Sequence, residues 1–183
     1  MSQSSRVPLG KRLAVRAETV FMSLLVPKKR VGPFYRILFK GPLLLKRLGL
    51  AALIPKNVLI LTTRGRRSGR LRLTPMEFSQ GPQKDVYLVM SGWDGNTDWY
   101  KNARAEPRVR VWLAGRQWDA LAEPVADSDV ARLLRELTDI DQSAARMFSR
   151  WSDAPVDGTE QSYVAAASHF PSLYLRPAQP EAA

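Results

Sequence analysis

From residue 57 onward the hydrophobic residues of this chain alternate with polar ones instead of recurring every third or fourth position. Val109, Val111 and Leu113 alternate with Arg108, Arg110 and Trp112, and Leu71 and Leu73 with Arg70, Arg72 and Thr74. A period of two places successive side chains on opposite faces of a strand, so such runs belong in a sheet with one face covered. The strand runs are 57–63, 70–79, 84–91, 108–114, 116–126 and 172–176. Turn residues separate them at Gly65–Gly69, Gly81-Pro82 and Ala114-Gly115. The spacing predicts a short helix from about Thr97 to Ala105, capped by Asn96 or Thr97. It also predicts a longer one from about Asp129 to Trp151, capped by Asp127 or Ser128. Residues 152–162 read as a loop. Six short strands with one packed helix predict a small, mostly antiparallel barrel of the α+β class.

Residues 1–56 read differently. Leu13, Ala17, Val20, Phe21, Leu24 and Leu25 keep a helical spacing, and apolar stretches follow at 34–39 and 43–54. This segment holds twelve Lys and Arg and one acid, Glu18, so it carries the whole net charge of +11. The remainder is formally neutral, with sixteen basic and sixteen acidic side chains. No uncharged apolar run approaches the roughly 20 residues needed to span a bilayer. Basic amphipathic helices can lie on an anionic membrane surface or simply cover a neighbouring apolar face. The expected division is a basic helical extension over 1–56, a barrel over 57–177 and a flexible tail over 178–183.

The absence of cysteine excludes disulfides, thiolate metal sites and cysteine nucleophiles, and points to a reducing cytoplasm. A single histidine, His169, argues against a histidine metal site. No serine sits in a nucleophile elbow, and no Walker loop or G-x-G-x-x-G is present. If the chain is an enzyme, a cofactor is expected to carry the reaction. The best evidence for one is a loop with five arginines in nine residues: Arg64, Arg66, Arg67, Arg70 and Arg72. Gly65 and Gly69 let its backbone turn and approach a ligand. Guanidinium forks match phosphate and carboxylate oxygens. A second stretch, 91–100, leaves a strand and enters a helix, where free backbone N–H groups favour an anion. Trp93, Trp99 and Tyr100 there are candidates to line a planar ring.

The pattern Leu61-Thr-Thr-Arg-Gly-Arg-Arg-Ser-Gly-Arg-Leu-Arg-Leu-Thr-Pro75 resembles the deazaflavin-dependent nitroreductase family of split β-barrel flavin/deazaflavin oxidoreductases. So do Ser91-Gly-Trp, Asp98-Trp-Tyr-Lys-Asn102, Arg104-Ala-Glu-Pro107 and the closing His169–Pro177 segment. The resemblance implies a six-stranded split barrel, a homodimer and the reduced deazaflavin coenzyme F420 as hydride donor, with FMN the alternative. It implies a quinone-like, nitro or other conjugated small molecule as acceptor. Some members of the family are membrane-associated; with the basic arm and the absence of cysteine, the expectation is a cytoplasmic protein with peripheral contact to the inner face of the plasma membrane and no nucleic acid partner. Carried over, Arg66, Arg67, Ser68, Arg72 and Thr74 hold the phosphate and oligoglutamate tail. Met90, Ser91, Trp99 and Tyr100 flank the cofactor. The proton for the acceptor comes from solvent, Ser91, Tyr163 or His169. Two other readings compete: a split-barrel protein that binds FMN or an apolar ligand without turnover, and an adaptor driven by the basic arm.

Overall fold

The computed structural model describes residues 40–178. The helical spacing at 13–25, the apolar stretch 34–39 and the end of the tail lie outside the described residues. Two units account for the rest. One takes in 40–91, Gly95–Val125 and 172–178; the other takes in Gly92–Asp94 and Ala126–Pro171.

The first unit holds a short helix α1 (Gly41–Arg47) and a turn of 3₁₀ helix (Ala51–Leu53), then strands β1 (Val58–Arg64), β2 (Leu71–Glu77), β3 (Ser79–Gln80) and β4 (Tyr87–Met90). Helix α2 (Asp98–Ala105), β5 (Arg108–Leu113), β6 (Arg116–Pro124) and β7 (Ser172–Pro177) complete it. All strand pairs are antiparallel, in the order β2-β1-β5-β6-β7-β4-β3. The sheet therefore has seven strands, not six. The extra strand arises because the run 70–79 is one bent segment. Its first part pairs with β1 and Ser79–Gln80 pair with β4, so consecutive strands occupy opposite edges of the sheet. Phe78 spans the bend, its N–H donating to the Asn57 carbonyl at 3.1 Å. The run 84–91 shortens to Tyr87–Met90 because residues 81–86 form a closed turn, with Gly81 N–H on the Val86 carbonyl at 2.8 Å and Asp85 at φ 64°. The β5–β6 turn is two residues long, Ala114 and Gly115, both with positive φ as a tight hairpin requires.

The alternation does what the sequence predicts. Leu59, Leu61, Val89, Val109, Val111, Ala120, Ala122, Leu173 and Leu175 form one buried cluster with Ala103 of α2. The other face of β1 and β5 presents Ile60 and Trp112 to Ile54, Leu43 and Leu45. Lys46 of α1 lies 4.9 Å above the Trp112 ring, a cation–π contact.

The second unit is helical: α3 (Asp127–Ile140), α4 (Ser143–Ser152) and α5 (Glu160–Ala167). The single helix expected over 129–151 is thus two helices, and one packed helix becomes several. The apolar stripe runs on through the break, but Asp141 leaves helical geometry and accepts the Ser143 N–H at 2.9 Å. A short carboxylate that satisfies a free N–H starts a new helix. The α3 cap is Ala126, with no side-chain bond, rather than Asp127 or Ser128, and the α2 cap is Thr97, also without one. Helix α5 begins inside the stretch read as a loop. Its buried residues Ser162, Tyr163, Ala166 and Ala167 give no clear stripe against polar neighbours. Phe148 and Phe170 meet edge to face at 5.7 Å within this unit.

The start of α5 makes a pH-dependent contact. The Asp157 carboxylate accepts the Thr159 N–H at 2.9 Å and its hydroxyl at 2.7 Å, while Thr159 caps Ser162 N–H at 3.2 Å. These bonds, the Thr159 backbone first, hold the Asp157 carboxyl at about 2, below its ordinary value. A depressed folded-state value means stabilisation that is full above the unfolded value near 3.9 and lost as pH falls toward 2. In urea melts between pH 5 and 2, Asp157→Asn is expected to flatten part of that decline. An unchanged slope would remove the cap from the account.

Candidate functional site

The arginine loop joins β1 to β2. Gly65 N–H donates to the Arg70 carbonyl at 2.8 Å, and Gly69 N–H returns to the Gly65 carbonyl at 2.7 Å. Gly69 has φ +66°, where a side chain would be strained. A Cβ on Gly65 would meet Ser68 Oγ at 2.9 Å and the Arg70 carbonyl oxygen at 3.2 Å, with Arg72 Nε at 3.9 Å. Both glycines are therefore required by the turn, and Ser68 and Arg72 gather over Gly65.

The five arginines are not equivalent. Arg66 is anchored: its N–H and its Nη1 donate to Asn102 Oδ1 at 3.1 and 3.0 Å, and Nη1 also reaches Asp98 Oδ1 at 3.0 Å. Arg64 pairs with Glu106 at 3.3 Å and donates to the Gly69 carbonyl. Asp98 and Asn102 stand four apart on α2, so one helix face holds the loop. That i, i+4 spacing is a signal that could have found Asn102, which sequence reasoning did not single out. Arg67, Arg70 and Arg72 have no ion pair among the described residues. They are the cations left to meet a ligand.

The register sets what lies beside the loop. Leu59 faces Met76, Leu61 faces Thr74, and Thr63 faces Arg72 across β1 and β2. Met76 packs on the barrel cluster, so by alternation Thr74 and Arg72 stand on that same face. Polarity rises along one line from leucine and methionine to threonine and then arginine. Thr63, only 1% exposed, has a buried hydroxyl with no partner among the described residues. Such a group is costly alone and is a reason to expect a ligand acceptor or a water. Sequence reasoning missed Thr63 because its alternation reads as ordinary strand.

Met90 and Ser91 end β4 and enter the turn. Ser91 is fully buried and its Oγ lies 2.8 Å from Thr97 Oγ1. Trp99 and Tyr100 are half-buried at the start of α2, edge to face at 5.8 Å, and pack on the barrel cluster. Arg66, Arg67, Ser68, Arg72, Thr74, Met90, Ser91, Trp99 and Tyr100 therefore all belong to the barrel unit. Tyr163 and His169 belong to the helical unit. Tyr163 is 3% exposed, whereas His169 is open to solvent and bonds Asp94 Oδ1 through Nδ1 at 2.6 Å. An open groove of about 700 Å³, lined by Tyr87, Leu113, Arg116, Trp118 and Pro177 among others, also lies in the barrel unit. It includes no residue of the arginine loop, so the loop's donor chemistry, not the volume of this groove, marks the candidate site.

Residues 47–156, more than half of the chain, match the family model described as F420H(2)-dependent quinone reductase. Solved structures similar to this chain include an F420-H2 dependent reductase, at 17% identity and TM-score 0.45, covering 66% of this chain and 95% of its own. A putative pyridoxamine 5'-phosphate oxidase from Listeria innocua is similar at 17% identity and TM-score 0.45, covering 74% and 94%. The heme storage protein HutZ from Vibrio cholerae is similar at 18% and 0.43, covering 68% and 84%.

Proposed function

The chain belongs to the F420H(2)-dependent quinone reductase family, and on that premise we propose how its residues divide the work. The protein is an F420-dependent oxidoreductase. The residues present suit the coenzyme: three guanidiniums with no ion pair among the described residues for a phosphate and carboxylates, a glycine turn that leaves room for them, and beside them a Thr63 hydroxyl that has no partner among those residues. Arg67, Arg70 and Arg72 would grip the anionic tail, with Ser68 and Thr74 adding hydroxyl donors. Arg66 would fix the loop against Asn102 and complete the positive field. Met90, Trp99 and Tyr100 would border the ring, and the bond between buried Ser91 and half-buried Thr97 would fix the turn that carries them. When bound, reduced F420 supplies hydride to the acceptor.

The acceptor we propose is quinone-like. It gains a hydride and a proton and leaves as a quinol. Of the three protein groups considered for that proton, Ser91 and Tyr163 are buried. His169 is partly exposed but tied to Asp94, so we assign the proton to solvent. The observation that carries the reading is the set of arginines with no ion pair among the described residues, on a glycine turn inside the matched family segment. The test is titration of the purified protein with F420 and FMN, then F420H2 oxidation with a panel of quinones and nitro compounds. Selective F420 binding and quinone-dependent oxidation are expected. Retention of FMN alone, with no oxidation of F420H2, would leave the competing reading of a binder without turnover.

A cytoplasmic homodimer touching an anionic membrane completes the proposal. Leu71 and Leu73, exposed on edge strand β2, are a surface a second copy would cover. Leu44, Leu48, Leu50 and Leu53 are exposed beside Lys40, Lys46, Arg47 and Lys56. An apolar edge rimmed by lysine and arginine suits a lipid headgroup boundary. Among the described residues no helix is long and apolar enough to cross a membrane. In co-sedimentation, binding to phosphatidylserine vesicles that falls with salt and fails on phosphatidylcholine is expected. Equal binding to both would dismiss the contact.

A further inference from the structure

We propose that Trp93 and Trp151, both in the helical unit, form a binding site for a planar conjugated molecule, donating their indole N–H groups to its oxygens. The proposal deepens the reductase reading and rests on it for the ligand class. Four observations within the helical unit support it. The two rings lie 5.2 Å apart and tilted by 50°, neither stacked nor edge to face. Both indole nitrogens are buried, and neither has a hydrogen-bond partner among the described residues. An indole N–H is a donor only, so nothing but an acceptor atom satisfies it, and leaving it buried and unpaired is costly.

The backbone there is strained as well. Trp93 and Asp94 have φ 54° and 53°, and Gly95 follows at 72°. Left-handed backbone is tolerated by aspartate but is an outlier for tryptophan. Strain of this kind gathers at ligand clamps. Gly92 is built into the clamp: a Cβ there would come within 2.9 Å of Trp151 Cζ3, so the chain lies directly on the Trp151 ring. The turn is tied down from outside by the Asp94–His169 bond. The paired rings each carry a buried donor with no partner among the described residues. A flat, oxygen-bearing molecule that displaces Trp93 supplies what both rings lack, and relief of the left-handed turn offsets part of the cost of opening.

The class of ligand follows from this donor set. Two N–H donors and two ring faces select a quinone over an aromatic hydrocarbon of the same shape. The test uses the full chain without F420, titrated by calorimetry with 2-methyl-1,4-naphthoquinone and with 2-methylnaphthalene. Trp93→Phe and Trp151→Phe keep a ring and remove the N–H. Each is expected to weaken naphthoquinone by about 2- to 12-fold, the range of one neutral hydrogen bond, and to leave the hydrocarbon unchanged. Wild-type affinity for the quinone in both variants would overturn the proposal. So would equal affinity of the wild type for the quinone and the hydrocarbon.

If either variant fails to fold by circular dichroism, the wild type decides. A shift of the indole N–H Raman band on adding naphthoquinone, absent with methylnaphthalene, supports the subsite, and no shift refutes it. Naphthoquinone binding with no F420 binding would sink the reductase reading and leave the subsite standing. The converse would sink only the subsite.

Discussion

Replacing Arg67 and Arg72 together by alanine is expected to weaken F420 binding by about 100-fold or more. Each charged hydrogen bond is worth about 1.5–3 kcal/mol, and both side chains are exposed, which places the effect near the low end. The loss should shrink as salt rises, because the lost term is largely charge attraction. Fluorescence titration of F420 at two ionic strengths reads both quantities. The comparison with Asn102→Ala is informative. That change leaves every arginine in place but releases Arg66, so it should cost affinity through loop disorder while keeping the wild-type salt dependence. If the double arginine variant binds F420 as well as the wild type, the loop does not hold the tail.

Truncating Leu61 to alanine should cost about 2–5 kcal/mol of stability, the usual range for a leucine removed from a core. Leu61 is fully buried, lies in the barrel cluster and faces Thr74 across β1 and β2. Its neighbours Val111 and Leu173 come from strands fixed on both sides, so the site has little freedom to collapse into the void. Urea melts followed by circular dichroism measure the loss. A cost below about 1 kcal/mol would mean that the cluster is less tightly packed than its burial implies. Because Leu61 lies next to the line of Thr74 and Arg72, the same variant should also lose F420 affinity.

The sequence made the sheet legible because burial on one side forces alternation, and alternation survives in residues such as Val109, Val111 and Leu113. It hid the seventh strand because Ser79 and Gln80 are too few to show a period and continue a run already begun. The break at Asp141 was hidden because the apolar stripe continues through it, and a cap is a matter of one hydrogen bond rather than of composition. Helix α5 was hidden because buried serine and alanine give no contrast. The site was read in the same uneven way. Arginine density and paired glycines marked the loop, since few structural roles need both. Which arginines are free was invisible, because it depends on where Asp98, Asn102 and Glu106 come to rest. Thr63 and the indole nitrogens gave no sign at all, since an unsatisfied donor is a property of surroundings and not of residue type.

Strand β7 lies between β6 and β4, so β4 and β3 are hydrogen-bonded to the rest of the sheet only through it. On the ribosome, the hairpin built from residues 79–90 must therefore wait for residues 172–177 to emerge. Until then the nascent chain carries Leu88 and Val89 with no neighbour on one side. Closure of this sheet is thus tied to β7, and a chain lacking residues 172–177 would leave the β3–β4 hairpin without its neighbouring strand.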